Sequence, residues 1–214
     1  MKERPILFSG PMVRAILDGR KMQTRRVVKR QRDMEFDEKD PHFGPYWLPY
    51  VYGEDSIKVP CPYGNPGDRL WVREQCRAEE LKSGLDGVRY AADDTFISIE
   101  NSQEASDRWC DLFFYAGKRG ANVPSIHMPR WASRINLEVT GVRVERLQDI
   151  SEADAKAEGA QQIEFDTGKS YGDGFPITEG SYVLGYHDVW ESINGPGSWA
   201  ANPWVWVVEF KRVE

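Results

Sequence analysis

The sequence is poor in the residues that build disulfides and metal sites, with three cysteines and three histidines in 214 residues. A small, odd cysteine count excludes a disulfide framework and points to a reducing, cytoplasmic setting. Cys61, Cys76, Cys110, His42, His127 and His187 are scattered along the chain. Without paired Cys-x-x-Cys or His-x-x-x-His spacing, no metal and no cofactor is expected. The chain lacks a P-loop, a dinucleotide-binding glycine fingerprint and a Gly-x-Ser-x-Gly elbow, which removes the commonest nucleotide-hydrolysing, redox and serine-hydrolase signatures. No apolar run approaches the ~20 residues of a membrane span, so no membrane association is expected. The apolar stretch after Met1-Lys2-Glu3-Arg4-Pro5 is too short for a signal-peptide core. The remainder, 40% hydrophobic and 29% charged, has the composition of a soluble globular domain long enough to bury a real core.

The net charge of -6 and pI near 5.3 argue against bulk binding of nucleic-acid backbone, but the average hides a segregation. Residues 1 to 32 hold ten basic residues against only Glu3 and Asp18, a net +8, which leaves −14 for the rest. Lys21, Arg25, Arg26, Lys29 and Arg30 crowd into one short stretch. The dense patch is either a solvated basic segment or a local anion site within an acidic shell. Such a shell disfavours long backbone contacts and leaves room for a nucleotide, a short strand or a flipped base.

Pro5-Ile6-Leu7-Phe8 reads as a short buried strand. Ser9-Gly10-Pro11 then starts a helix whose stripe is Val13, Ile16 and Leu17, closed by Gly19. Gly19 to Arg26 is expected as a loop after that helix. Asp33 to Pro66 is an irregular, aromatic-bearing segment, and Arg69-Leu70-Trp71-Val72-Arg73-Glu74 a strand. Residues 77 to 125 look irregular again, with a short strand or hairpin at Tyr90 and Phe96 to Ile99. Arg134 to Thr140 alternates as a half-buried strand and continues past Gly141, a candidate bend or bulge. Ser151 caps a short helix ended by Gly159, and Tyr182, Tyr186, Val189, Trp190 and Ile193 mark a second helix over about 181 to 193. Trp204 to Phe210 is an apolar closing strand. Trp204 and Trp206 are expected in the core, whereas Trp47 and Trp131 stand open between core and base stacking. The pattern predicts an α+β fold, a small barrel with a few short helices and large irregular insertions.

The stretch Gly19-Arg20-Lys21-Met22-Gln23-Thr24-Arg25-Arg26 fits G-x-K-x-x-T-x-R and resembles the signature of the ASCH domain family, relatives of the RNA-associated PUA fold. Pro66-Gly67-Asp68-Arg69-Leu70-Trp71-Val72-Arg73-Glu74 resembles the family's Gly-Asp strand, and Trp206-Val207-Val208-Glu209-Phe210 its last barrel strand. The likeness covers about 5 to 28, 66 to 76, 134 to 159 and 203 to 213, roughly half the chain. The remainder looks like the longer members encoded by phages and prophages. The resemblance implies one PUA-like domain over 1 to 214 with insertions at about 33–66 and 77–130.

One branch of the family hydrolyses the amide of N4-acetylcytidine with a lysine, a threonine and a glutamate. Carried over by motif, these are Lys21, Thr24 and Glu74 as catalytic residues, with Gly19, Arg25, Arg26 and Arg73 as ligand- or phosphate-binding residues. Such hydrolysis needs a nucleophile, a base and a donor to the leaving amine. Lys21 serves as base only if burial or Arg25 and Arg26 depress its pKa. The alternatives are phosphate binding by Lys21 and Arg26, and a structural pairing of Glu74 with an arginine. Three functions therefore stay open: an enzyme, either an amide hydrolase acting on an acylated cytidine or a nuclease; a non-enzymatic module for RNA, a nucleoside or short single-stranded nucleic acid; and a phage accessory protein that binds a host protein.

Overall fold

A computed structural model of the chain describes residues 1–29, 60–170 and 176–213. In chain order the elements are β1 (Glu3–Leu7), α1 (Gly10–Leu17), β2 (Gln23–Val27), β3 (Arg69–Arg73), β4 (Cys76–Glu80), β5 (Asp86–Tyr90), β6 (Phe96–Ser98), α2 (Gln103–Phe113), β7 (Asn136–Arg146), α3 (Glu152–Ala157), β8 (Ile163–Ser170), β9 (Pro176–Ser181), α4 (Tyr182–Asn194) and β10 (Trp204–Val213). The fold is α+β, with several sheets and few helices. The chain divides into two compact units. The first comprises Met1–Asp18, Asp68–Glu138 and Arg212–Glu214, and the second Gly19–Gly67 and Val139–Lys211.

In the first unit β1 runs parallel to β3, with Ile6 opposite Val72. β3 pairs antiparallel with the start of β7, Leu70 opposite Leu137. These four side chains are buried, as alternation of apolar residues on a covered sheet face requires. Pro11 sits in the first turn of α1, where a missing N–H costs nothing, and the helix buries Val13, Ala15 and Ile16. A second, antiparallel sheet has the order β4-β5-β6, and α2 begins at Ser102, whose hydroxyl accepts from Ala105 N at 3.2 Å. Cys76, Ala78, Val88, Tyr90, Trp109, Leu112 and Met128 belong to one buried cluster. Trp109 is fixed within it by a 2.8 Å bond from its indole N–H to Gly87 O and by stacking on Phe113 at 4.6 Å.

The second unit contains the continuation of β7, then β10 and β2 in that order. β2 is antiparallel to β10, with Val208 opposite Thr24 and Val207 opposite Arg25. β8 and β9 form an antiparallel hairpin. Ser151 caps α3 by accepting from Asp154 N at 3.1 Å, and Gly159 follows with φ 81°, a conformation that glycine adopts without strain. Glu152 reaches the start of α4, accepting from Tyr182 N at 2.6 Å. Leu147, Ile150, Ala155, Tyr186, Trp190, Val205 and Val207 form the core. A side chain at Gly185 would run into the backbone carbonyl of Gln161. Replacing an exposed helical glycine with alanine ordinarily stabilises by up to about 1 kcal/mol. Gly185→Ala is expected to reverse that sign, costing about 1–3 kcal/mol in urea denaturation, because backbone cannot move aside as a side chain can.

Two expectations change. Gly19 to Arg26 is not a loop throughout, since Gln23–Val27 is strand β2. Its side chains are polar yet buried at Gln23, Thr24 and Arg25, so hydropathy hides the strand. Residues 77 to 125 are not irregular: they complete β4 and contain β5, β6 and α2, and the buried positions Ala105, Trp109 and Leu112 are a helical stripe. Gly141 lies within β7 and leaves space for Glu209, whose Oε2 would lie 2.6 Å from an added Cβ. Trp206 is buried. Trp204 is half-buried, with the Arg146 guanidinium 4.2 Å above its ring. Trp131 is half-buried against the first unit's core, whereas Trp47 and residues 33 to 59 of the expected insertion lie outside the described residues.

Candidate functional site

Gly19 ends the first helix with φ 71° and opens the motif segment. Lys21 forms an isolated bridge to Glu158, which fastens the segment to the end of α3. The Lys21 Nζ donates to Glu158 Oε2 at 2.6 Å and to the Glu158 carbonyl at 2.9 Å. Thr24, three residues on, lies in β2; Lys21 and Thr24 are each 2% exposed.

Arg25 extends the cluster. Its guanidinium pairs with Glu145, with Asp154 Oδ2 at 3.2 Å and with Glu158 Oε1 at 3.4 Å. Arg143 bonds Glu145 Oε2 and Asp154 Oδ2, each at 3.0 Å, and Glu209. With its amide oriented to satisfy both ends, Gln23 donates to Asp154 Oδ1 and accepts from Arg143, each at 3.0 Å. The Tyr186 ring lies 5.9 Å from the Arg25 guanidinium carbon. Arg26 is half-buried and opposite Trp206 in the β2–β10 register.

Burial is the strongest influence on Lys21 and pulls its pKa below the ordinary 10.5. The Glu158 carboxylate restores part of the shift, while Arg26 and Arg25 add to it. Burial raises Tyr186 well above the ordinary tyrosine value, and Glu158 reinforces the effect. Burial alone would raise the Asp154 carboxyl, but Arg143 and Arg25 together hold it low. The second unit thus contains a lysine biased toward its neutral form, a buried threonine and a carboxylate in direct contact with the amine.

Glu74 and Arg73 belong to the first unit. Glu74 is 1% exposed and receives a two-pronged bond from Arg134, Nε to Oε1 at 2.8 Å and Nη2 to Oε2 at 2.9 Å. Arg134 also grips Asp93 through two bonds of 2.9 Å and lies 4.1 Å above the Tyr90 ring. Arg73 donates to the Met128 carbonyl at 3.1 Å and lies 5.1 Å from the Trp71 ring centre. The structure therefore brings Lys21, Thr24 and Arg25 into one unit and gives Glu74 an arginine partner of its own.

Arg134 is the main influence holding Asp93 at about 2, against an ordinary 3.8. A carboxyl depressed on folding contributes stability above its unfolded pKa and loses that contribution as pH falls through the folded one. Denaturant titrations are therefore expected to show a loss of stability between about pH 4 and 2 that Asp93→Asn reduces.

Sequence reasoning did not single out Glu158, Glu145, Asp154 or Arg143. Glu158 lies 137 positions from Lys21, and no local spacing marks such a pair. Among the described residues, no group of histidine, cysteine and carboxylate side chains has a metal-binding arrangement, and no helix is long and apolar enough to cross a membrane. In comparisons with known proteins, no family model, curated protein or solved structure matches the chain.

Proposed function

We propose that the chain is an ASCH-like, PUA-related barrel protein that takes a nucleoside, or one base of a short RNA, at the Gly19–Arg26 segment and hydrolyses an N4-acylcytidine-type amide there. The observation that carries this reading is Lys21. It occupies the lysine position of the motif, and burial moves its amine toward the neutral form that a general base requires. Thr24 supplies the hydroxyl. Neutral Lys21 takes the hydroxyl proton as Thr24 Oγ bonds to the acyl carbon, and the C–N4 bond breaks as the lysinium returns the proton to N4. Water then releases the acyl group from Thr24 as the free acid. Glu158, 2.6 Å from Nζ, orients the amine and stabilises its charged form; the relay of the proton to N4, which the resemblance gives to Glu74, falls here to Lys21. Since Lys21 and Thr24 are almost fully buried, the substrate enters when the surrounding chain moves aside.

A second reading, binding without turnover, draws support from the carboxylates that already engage Lys21 and Arg25. The two readings separate on incubation with N4-acetylcytidine. Chromatography is expected to show cytidine released by the unmodified protein, and release lowered ~10²–10⁴-fold by Lys21→Ala and by Thr24→Ala while circular dichroism is retained. Release unchanged by both substitutions removes the catalytic assignment. Salt-sensitive RNA binding with no release leaves the module.

A further inference from the structure

The first unit contains a pocket of about 320 Å³, at the small end of the ~300–1,000 Å³ range of ligand sites. It is built by β5, β6 and the two residues after it, α2, and the 3-10 turn Arg130–Ala132. No residue of the Gly19–Arg26 segment lines it.

Its lining is divided by burial. Val88, Tyr90, Ala105 and Ala132 are buried. The Tyr90 hydroxyl is already spent on the Ala132 carbonyl at 2.8 Å, so Tyr90 offers ring carbon rather than a polar group. Trp131 adds a half-buried indole. Glu100 and Arg108 line the same pocket at exposed positions. Arg108 is tied to Glu104 of its own helix, by a bond to the Glu104 carbonyl at 3.3 Å and an ion pair at 3.5 Å. Glu100 makes no ion pair among the described residues. One carboxylate and one guanidinium beside an aromatic wall disfavour a ligand of either net charge. A purely apolar ligand would leave both to water. A flat neutral heterocycle with a donor and an acceptor on one edge satisfies all three surfaces.

We propose that this pocket binds an aminated nucleobase. The base lies against Trp131, its exocyclic amino group donates to Glu100, and a neighbouring ring nitrogen accepts from Arg108. Stacking supplies affinity without base preference, and the carboxylate supplies the preference, since a keto oxygen in place of the amino group meets a second acceptor. The site does not rest on the amide-hydrolase reading, and Lys21→Ala separates its test from any nucleoside bound near Lys21.

The experiment is calorimetric titration of the full chain with adenosine and with inosine, which replaces the amino group by a keto oxygen. Adenosine is expected to bind about tenfold or more tightly than inosine. Glu100→Gln is expected to narrow that difference, because an amide donates to the keto oxygen; the remainder is set by inosine N1–H, which faces Arg108 as a donor where adenosine N1 accepts. Arg108→Ala should weaken adenosine about tenfold, and Ala105→Phe, which fills the pocket, should abolish binding; Lys21→Ala should leave it unchanged. Glu100 and Arg108 lie at exposed positions, so their substitutions test the site even if Ala105→Phe disturbs folding. No adenosine binding, equal binding of inosine, or binding indifferent to Glu100→Gln and Arg108→Ala overturns the proposal.

Discussion

Replacing Arg25 with methionine is expected to destabilise the protein by about 3–5 kcal/mol, the scale of breaking a buried ion pair by removing one partner. The guanidinium is the shared partner of Glu145, Asp154 and Glu158. Methionine fills much of the volume and leaves three carboxylates facing one another. Arg143 and Lys21 still reach them, which keeps the loss from growing further. Adding Glu145→Gln should recover part of it, because a neutral amide removes one of the uncompensated charges. Urea denaturation at neutral pH measures both. A loss below about 1 kcal/mol would mean that the network is solvated and behaves as surface pairs do.

Arg134→Ala is expected to cost a similar ~3–5 kcal/mol in the first unit. It leaves Glu74 buried without its two-pronged partner and uncovers the Tyr90 ring. The acid-dependent stability assigned to Asp93 should disappear as well, since Arg134 is its main cause. Glu74→Leu combined with Arg134→Met is expected to be far more stable than Arg134→Ala alone, because an apolar pair needs no compensation. If Glu74→Leu with Arg134→Met is no better, the cost lies in the lost stacking rather than in the orphaned carboxylate.

Much of the fold was legible where burial is apolar. The runs behind β1, β3, β7 and β10 alternate or are continuously apolar, and the stripes of α1 and α4 recur at helical spacing, so burial and sequence agree there. β2 was illegible for a physical reason: Gln23, Thr24 and Arg25 are buried by ion pairs and hydrogen bonds, which hydropathy cannot register. α2 is masked in the sequence by its polar mean character, though Ala105, Trp109 and Leu112 carry a stripe. β8 and β9 had no signal clear enough to single them out.

The candidate site divides in the same way. Lys21 and Thr24 stand out by motif spacing, and the requirement that Lys21 be depressed to act as a base could be stated from its residue type alone. Its carboxylate partner could not, because the bridge from Lys21 to Glu158 is made by tertiary folding. The net charge of -6 is likewise uninformative by itself. The basic motif segment contributes Lys21 and Arg25 to an internal cluster with acidic residues from β7, α3 and its C-terminal end, so these two charges are compensated inside the second unit.

The most direct test of the Lys21 account is the pH dependence of kcat/KM for cytidine release from N4-acetylcytidine, measured for the unmodified protein and for Glu158→Gln. A base must be neutral to act, so the rate should rise with pH along an ascending limb whose midpoint lies below the ordinary lysine value of 10.5. Glu158 favours the charged amine, so its removal should move that limb to lower pH. No release at any pH, or a limb that stays in place in Glu158→Gln, would contradict the account.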